Sequence, residues 1–235
     1  MDLKDAKVLV TGGSSGIGYA TARLLRDRGA QVAICGRKAD TIELAAAELG
    51  ATGIVADVSK EDDVKRMVER VVAELDGYNV LVNNAGFGHW ASLVETTSAD
   101  FRRVWETNVL GAMLVARESA RHFIASNTGN IVNIASTAGS RGFPGGTTYV
   151  STKFALSGMT ECWRAELRKS NVRVMQVNPS EVQTSFFTAA GGEERPENSS
   201  KLLADDVAAL IASMLEVSDR GFITEASVWA TNPHD

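Results

Sequence analysis

The sequence predicts an α/β fold, a parallel β-sheet with helices on both of its faces. Short apolar runs alternate with longer amphipathic stretches along nearly all of the 235 residues, as expected where strands alternate with helices. The first apolar run leads through a glycine-rich turn into a helix pattern. Because connections between parallel strands are right-handed crossovers, the helices cover both faces of the sheet. We expect one domain over residues 1–235, since no linker, internal repeat or low-complexity segment interrupts the pattern.

The composition is that of an ordinary globular protein and narrows the possible partners. Apolar residues make up 44% and charged residues 23% of the chain, which is enough for a sizeable core. The net charge of −5 argues against nucleic acid and anionic membranes as partners. No apolar run approaches the roughly eighteen residues that a membrane span needs, and residues 1–5 do not resemble a signal peptide. We therefore expect a cytoplasmic protein.

The two cysteines agree with a reducing compartment. Cys35 lies in an apolar run and Cys162 in a helical pattern, and neither belongs to a Cys-x-x-Cys pair or a Cys/His cluster. We expect two buried free thiols, with no disulfide and no metal site.

The first predicted strand, residues 7–11, opens the region that we expect to bind a dinucleotide. A turn follows it, and a helix pattern continues to about residue 28. Glycines let the backbone approach a diphosphate closely, and a helix N-terminus offers free N–H groups and partial positive charge. A plain flexible connection is the alternative, but the place after the first strand favours cofactor binding. The predicted cofactor-binding residues of the turn are Gly12, Ser14, Ser15, Gly16, Ile17 and Gly18.

The second predicted strand, residues 31–36, ends at the position that selects between nicotinamide dinucleotides. An NAD site usually has a carboxylate there for the ribose 2′-hydroxyl, whereas an NADP site has an arginine for the 2′-phosphate. Here Gly36 is followed by Arg37 and Lys38, and a guanidinium matches a phosphate well. The two cations could instead be the solvated start of the helix predicted over residues 39–49. The charge favours NADP(H) over NAD(H).

The third predicted strand, residues 53–56, is followed by Asp57. This residue is either a simple turn residue or an acceptor for an adenine amino group, since ligands sit at the carboxyl ends of such strands. Ser59 and Asp62 resemble a capping box that opens a helix to about residue 75.

The fourth predicted strand, residues 79–83, leads into Asn84, Ala85 and Gly86, whose small side chains allow close backbone approach to a ligand. The amides of Asn83 and Asn84 can tie neighbouring strands together. An aromatic loop over residues 87–94 then predicts one wall of a substrate pocket. Its His89 could act in acid–base chemistry, but a lone histidine without a placed partner is more often incidental.

A long helix pattern over residues 100–126 contains Asn108 among apolar neighbours. A buried amide needs partners. Either the backbone satisfies it, or it opens a local kink and binds a water that carries protons.

Tyr149 and Lys153 form the pair on which the predicted chemistry depends. Residues four apart share a helix face, and an ammonium beside a phenol lowers the pKa of the phenol. Such a tyrosine can exchange a proton with a substrate oxygen near neutral pH. The pair alone is common on helix surfaces. Here it follows Ser136, which ends the fifth predicted strand, residues 130–135, and its helix continues to about residue 169.

The last third of the chain predicts a sixth strand over residues 172–178 and a Gly-, Glu- and Ser-rich segment over about residues 185–203. We interpret that segment as a lid over a pocket, with a plain exposed loop as the alternative. A helix over residues 204–215 and a strand over residues 222–229 complete the pattern.

The motifs occur in the order of one known family. They are Thr11-Gly12-(x)3-Gly16-Ile17-Gly18, Asn83-Asn84-Ala85-Gly86, Asn108, Ser136, Tyr149-(x)3-Lys153 and Asn178-Pro179. The chain resembles the short-chain dehydrogenase/reductase family, in particular its 3-oxoacyl-carrier-protein reductase branch, from residue 7 to about residue 222. The resemblance implies a single-domain Rossmann fold with a seven-stranded parallel sheet.

The resemblance also implies roles for particular residues. Tyr149 would be the acid in ketone reduction and the base in alcohol oxidation, and Ser136 would hydrogen-bond the carbonyl oxygen. Lys153 would bind the nicotinamide ribose, and Asn108 would hold a water that links Lys153 to solvent. The cofactor would further contact Asp57, Val58, Asn84, Ala85, Gly86, Tyr149, Lys153, Pro179, Val182 and Thr184.

Two departures from the family pattern concern the substrate side. Ser180 stands where the family usually has glycine, which predicts a shifted loop with cofactor binding retained. The usual Asp-Gly-Gly ending is absent after the last strand, and that tail often builds a pocket wall and a subunit interface.

The sequence therefore predicts an NADP(H)-dependent oxidoreductase that moves hydride between the nicotinamide and a carbonyl or secondary alcohol, with 3-oxoacyl thioesters among the candidate substrates. The alternatives are a dinucleotide-binding sensor without turnover and an NAD-linked alcohol dehydrogenase. The resemblance implies a homotetramer or homodimer that associates through the helices over residues 100–126 and 149–169.

Overall fold

A seven-stranded, all-parallel sheet forms the centre of the protein. A computed structural model describes residues 1–186, 198 and 200–232. The strand order is β3-β2-β1-β4-β5-β6-β9. The strands are β1 (Lys7–Thr11), β2 (Gln31–Gly36), β3 (Thr52–Val55), β4 (Val80–Asn83), β5 (Gly129–Ile134), β6 (Val172–Pro179) and β9 (Glu225–Val228), and a separate short pair joins β7 (Val182–Gln183) to β8 (Leu202–Leu203).

Helices connect the strands and lie on both faces of the sheet, as predicted. They are α1 (Gly16–Asp27), α2 (Ala39–Leu49), α3 (Glu61–Glu74), α4 (Ser98–Trp105), α5 (Ala112–Ser126), α6 (Thr147–Leu167) and α7 (Ala204–Glu216). A π-helical segment, Glu106–Gly111, joins α4 to α5 without a break. None of the helices in the described part of the chain is long and apolar enough to cross a membrane.

Each central strand contributes to two cores, because successive side chains point to opposite faces of a sheet. On one face Val8 and Val10 pack in a cluster with Leu25 of α1 and Ile211 of α7. On the other face Leu9 belongs to a cluster with residues of α3 and α5. This two-sided burial explains why the parallel strands appear as continuous apolar runs in the sequence.

The chain order of the strands reverses at β1, which pairs with β2 on one side and with β4 on the other. At such a reversal the connections leave in opposite directions and open a crevice at the carboxyl ends of the strands. The glycine-rich turn after β1, the segment after β4 and Ser136 after β5 all lie at this edge.

Two local predictions were wrong. Ser59 and Asp62 form no capping box: helix α3 begins after Lys60, while Ser59 donates to Asp57 Oδ1 and Asp63 accepts the Asp57 N–H. Cys35 is buried, but the Cys162 thiol is exposed, because Cys162 lies on the outer face of α6. Most of the predicted lid lies outside the described residues, which lack 187–197 and 199.

Candidate active site

The glycine turn after β1 is shaped by contacts that leave no room for side chains. A Cβ atom on Gly18 would lie 2.3 Å from the Gly12 carbonyl oxygen, a distance that real Cβ atoms essentially never show. Gly12 and Gly16 have φ values of +65° and +53°, which glycine adopts at little cost. Ser15 then caps α1 with an extended backbone and no side-chain capping bond. The turn therefore brings bare backbone and a helix N-terminus to the crevice, as anion binding requires.

Thr11 fastens this turn to the segment after β4. Its Oγ1 accepts hydrogen bonds from the backbone N–H groups of Asn84 and Ala85, both at 2.9 Å. The Asn84 amide in return donates to the carbonyl oxygens of Thr11 and Gly12. These four bonds bring together two predicted groups of cofactor residues that are about seventy positions apart in the chain. This role of Thr11 was not predicted, although its place at the end of the strand was a usable signal.

Asn83 connects the end of β4 to the neighbouring strand β5 and to α5. Its amide donates to the Ala112 carbonyl and to Asn133 Oδ1, and Asn133 in turn donates to Thr160 of α6. The predicted tying role of the two asparagines is confirmed.

The remaining predicted cofactor residues surround the turn. Arg37 and Lys38 are exposed at the end of β2, and neither has an ion-pair partner among the described residues. Ser14 lies next to the same strand end, since a Cβ on Gly36 would be 3.8 Å from its Oγ. Thr184 packs against the turn, since a Cβ on Gly16 would lie 3.3 Å from Thr184 Cγ2.

Asp57 has the turn role that the sequence left open. Its Oδ1 accepts from the Ser59 N–H at 3.0 Å and from the Ser59 hydroxyl at 2.7 Å. Val58 is buried beneath the π-helical segment, where Gly111 contacts it closely. Contact of either residue with adenine stays a prediction.

Ser136, Tyr149 and Lys153 converge beside the end of β5. The Ser136 side chain lies close enough to the Tyr149 phenol to act on its pKa, and the Ser136 hydroxyl donates to the Pro179 carbonyl oxygen at 3.5 Å. The Lys153 ammonium donates to the Ile134 carbonyl at 2.8 Å and lies 5.5 Å from the centroid of the Tyr149 ring. The three side chains therefore meet although Ser136 belongs to a different element from the other two.

The pKa of Tyr149 differs from the prediction. Burial raises the pKa of Tyr149 to about 12, although the nearby Ser136 side chain acts to lower it. Burial also lowers the pKa of Lys153 to about 8. The expected lowering of the phenol pKa by the ammonium is therefore wrong for this structure, because the ammonium lies over the ring face and burial outweighs its charge.

Asn108 lies in the π-helical segment, where the chain departs from α-helical geometry. Its Oδ1 accepts from the Phe87 N–H at 3.0 Å, and its Nδ2 donates to the Phe87 carbonyl at 2.9 Å and to Thr152 Oγ1 at 3.2 Å. Thr152 in turn donates to the Tyr149 carbonyl at 2.7 Å. Asn108 thus joins the start of the aromatic loop to the helix of Tyr149, and the backbone partners of the first alternative are confirmed. The segment around it is distorted from α-helical geometry, and the proton-carrying water of the second alternative stays a prediction.

Aromatic side chains cover the Tyr149 ring. Trp90 and Phe186 each meet it edge-on, with centroid distances of 5.1 Å and 5.6 Å. Phe143 extends the group, because its ring centroid lies 5.8 Å from that of Trp90. The sequence predicted an aromatic wall from residues 87–94 but did not identify Phe143 or Phe186 as parts of it, because they come from two other segments. His89 instead approaches Asp100, at 3.7 Å.

The segment after β9 also reaches this region. The Arg141 guanidinium lies over the Trp229 ring, 4.9 Å from its centroid. A contact with the loop before Tyr149 is therefore present although the usual family ending is not.

Comparison with known proteins decides the family. A family model described as short chain dehydrogenase matches residues 6–195, which is more than half of the chain. This protein belongs to the short-chain dehydrogenase/reductase family.

Relatives of this short-chain dehydrogenase/reductase include enzymes of several specificities. A 4-formylbenzenesulfonate dehydrogenase of Comamonas testosteroni is 34% identical over 241 residues, covering 95% of each chain. An alcohol dehydrogenase of Thermococcus sibiricus complexed with 5-hydroxy-NADP superposes with a TM-score of 0.87 at 26% identity, over 97% of this chain and 98% of the other. The 3-ketoacyl-(acyl-carrier-protein) reductase of Brucella melitensis complexed with NADH gives 0.88 at 29% identity, over 95% and 96%. The chain spans 54% of an uncharacterized oxidoreductase of Bacillus subtilis, at 34% identity.

These matches confirm the likeness to the 3-oxoacyl-carrier-protein reductase branch and the Rossmann fold. The short-chain dehydrogenase/reductase is an oxidoreductase that acts on CH–OH or C=O groups. The alternative of a sensor without turnover is accordingly not supported.

Proposed function

We propose that this oxidoreductase is NADP(H)-dependent and transfers hydride between the nicotinamide and a carbonyl or secondary alcohol through Ser136, Tyr149 and Lys153. The observation that carries the proposal is the convergence of these three side chains at the crevice edge, next to a glycine turn that exposes bare backbone.

The roles follow from the geometry. Bound NADPH would supply the hydride. Ser136 would hydrogen-bond a carbonyl oxygen together with Tyr149, because the two side chains lie close to each other at the end of β5. The raised pKa of Tyr149 keeps its proton in place at neutral pH, as an acid in carbonyl reduction requires. Lys153 holds positive charge beside the phenol, and Asn108 fixes the helix that carries both.

The residues present fit the cofactor. The glycine turn would hold the pyrophosphate, because a Cβ on Gly18 would close it against the Gly12 carbonyl. The segment of Asn84, Ala85 and Gly86 is fastened beside the turn and would line the nicotinamide side. Pro179, Val182 and Thr184 would complete that side. Each of these assignments is part of the proposal.

The preference for NADP(H) rests on Arg37 and Lys38. Both cations are exposed at the end of β2, and Arg37 has no carboxylate partner among the described residues, so its guanidinium is available to a 2′-phosphate. The related structures include complexes with an NADP derivative and with NADH, so an NAD-linked alcohol dehydrogenase is the second candidate.

Cofactor choice is tested with Arg37→Asp. We expect NADPH affinity to fall at least about tenfold while NADH affinity is retained, because the change removes the cation proposed to pair with the 2′-phosphate and puts a carboxylate in its place. Titration of both cofactors by fluorescence measures this. The exposed Arg168→Asp change is the control, and equal NADPH affinity in Arg37→Asp and wild type would refute the role of Arg37.

Activity is tested by following NADPH oxidation by absorbance against a panel of aldehydes, ketones and acetoacetyl thioesters. The thioesters belong in the panel because of the reductase branch that the chain resembles. Turnover of no carbonyl compound, together with oxidation of alcohols by NAD⁺, would favour the second candidate.

Assembly into a homodimer or homotetramer is also part of the proposal. Exposed apolar side chains lie on the helices expected at the interface, including Leu110, Ile124 and Phe154. A shallow groove between these helices is lined by Trp105, Val109 and Met159, among others. Sedimentation of the protein at several concentrations tests the assembly. The free state of both cysteines supports the proposed cytoplasmic setting.

A further inference from the structure

We infer that the substrate of the Tyr149 site is an aryl carbonyl compound, one whose reacting carbon is attached to a planar aromatic ring, and that Trp90 and Phe186 determine this specificity. The inference rests on the proposed function and narrows its substrate class.

Two aromatic rings cover the proposed proton donor from different segments of the chain. Trp90 and Phe186 meet the Tyr149 ring at interplanar angles of 67° and 64°. Edge-to-face geometry of this kind is attractive because the positive edge of one ring faces the negative face of another. Tyr149 is only 9% exposed in this arrangement. A substrate must therefore enter between rings to reach its hydroxyl.

Gly88 allows both rings to approach. A Cβ at this position would lie 2.8 Å from Trp90 Cζ2 and 3.3 Å from Phe186 Cε1. The backbone of the loop thus forms a notch in which the two rings meet beside Tyr149. Asn108 holds the same loop at Phe87 by two backbone hydrogen bonds, so the position of the notch is fixed relative to the site.

The aromatic lining continues outward from the site. Phe143 contacts Trp90 at 5.8 Å and is itself 45% exposed. The neighbouring His89 approaches Asp100 on α4, at 3.7 Å. Aromatic rings therefore continue from Tyr149 through Trp90 to Phe143 at the surface.

An aryl group of a substrate that enters beside Tyr149 would exchange an existing contact between two protein rings for a contact between its own ring and Trp90 or Phe186. A saturated ring or acyl chain of equal size fills the space but has no quadrupole to match the edges of Trp90 and Phe186. A single such aromatic contact corresponds to a factor of about 2–10 in affinity. Two contacts acting together separate aryl from saturated carbonyl compounds by about tenfold or more.

The test compares benzaldehyde with cyclohexanecarbaldehyde, which share ring size and carbonyl position. We expect wild-type kcat/KM with NADPH to favour benzaldehyde. Trp90→Leu should lower the benzaldehyde-to-cyclohexanecarbaldehyde ratio about fivefold to tenfold, and Phe186→Leu should lower it by a similar factor. Trp90→Phe should keep the ratio within about twofold of wild type, since it retains a ring.

A binding measurement separates this inference from the proposed function. Calorimetry of the Tyr149→Phe variant with benzyl alcohol and with cyclohexylmethanol, each with and without NADP⁺, reports ring preference without turnover. Preference for benzyl alcohol that disappears in the Trp90→Leu, Tyr149→Phe double variant supports the inference even if neither aldehyde is reduced, an outcome that would count against the proposed function alone. Equal binding of the two alcohols, or an unchanged ratio in Trp90→Leu, would overturn the inference.

Discussion

The proposed cofactor end and the proposed substrate end of the crevice are built in different ways. At the cofactor end, the turn after β1 and the segment after β4 are joined by backbone hydrogen bonds through Thr11, and glycine sterics fix their separation. At the substrate end, side-chain rings from three separate segments meet around Tyr149. The comparison indicates that one end tolerates almost no substitution, whereas the other can change specificity by exchanging rings.

The largest expected effect is a loss of turnover when the Tyr149 hydroxyl, which lies between the two ends, is removed. Tyr149→Phe keeps the ring between Trp90 and Phe186 but removes the hydroxyl that lies near Ser136. We expect kcat to fall by about 10²–10⁴, with NADPH affinity near that of wild type. Steady-state kinetics and cofactor titration measure the two quantities. Substantial residual turnover would contradict the role of Tyr149.

The next largest effect is a loss of NADPH affinity when the glycine turn at the proposed cofactor end is disrupted. Gly18→Ala places a methyl group 2.3 Å from the Gly12 carbonyl oxygen, so the turn must open. We expect at least about a tenfold loss of NADPH affinity together with a lower Tm. Gly221→Ala is the matched control, because a Cβ there meets no atom within 4 Å. Unchanged cofactor binding in Gly18→Ala would show that the turn is not the cofactor site.

The buried ammonium of Lys153 gives a pH-dependent effect. Burial lowers its pKa from the ordinary 10.5 to about 8, so between these values the unfolded chain binds more protons than the folded one. The free energy of unfolding of wild type should therefore rise with pH across this window, relative to Lys153→Met, by up to about 3 kcal/mol. Lys153→Met should be the more stable protein below pH 8, and its advantage should shrink above it.

Urea unfolding of wild type and Lys153→Met between about pH 7 and about pH 9.5 measures this difference. Lys169→Met, at an exposed position after α6, serves as the control and should follow wild type at every pH. A difference between wild type and Lys153→Met that stays constant with pH would contradict the burial of a charged lysine.

The smallest effect concerns the outer edge of the substrate end. Arg141→Gln removes the cation over the Trp229 ring, an exposed contact worth about 0.5–1 kcal/mol. We expect a small fall in Tm and NADPH affinity equal to that of wild type. A fall in cofactor affinity of tenfold would mean that the two ends are coupled through the segment after β9.

Much of the fold and the proximity of Tyr149 to Lys153 could be predicted because their signals are local. Alternating apolar runs gave the seven strands, and the four-residue step from Tyr149 to Lys153 gave a pair on one face of α6. The glycine turn could be predicted because glycine adopts positive φ values such as that of Gly12 at little cost and, lacking a Cβ, permits the close approach at Gly18. These features depend on residues that are neighbours in the chain.

Other features depend on contacts that no local pattern encodes. The contacts of Trp90 and Phe186 with Tyr149, the contact of Phe143 with Trp90, and the exposure of Cys162 on α6 follow from how distant elements pack. The high pKa of Tyr149 has the same origin, because the tertiary structure withdraws the phenol from water while sequence spacing shows only the nearby charge. The spacing of residues along the chain thus predicted which side chains form the proposed reactive group. Burial by residues that are distant in the chain determined the pKa of Tyr149.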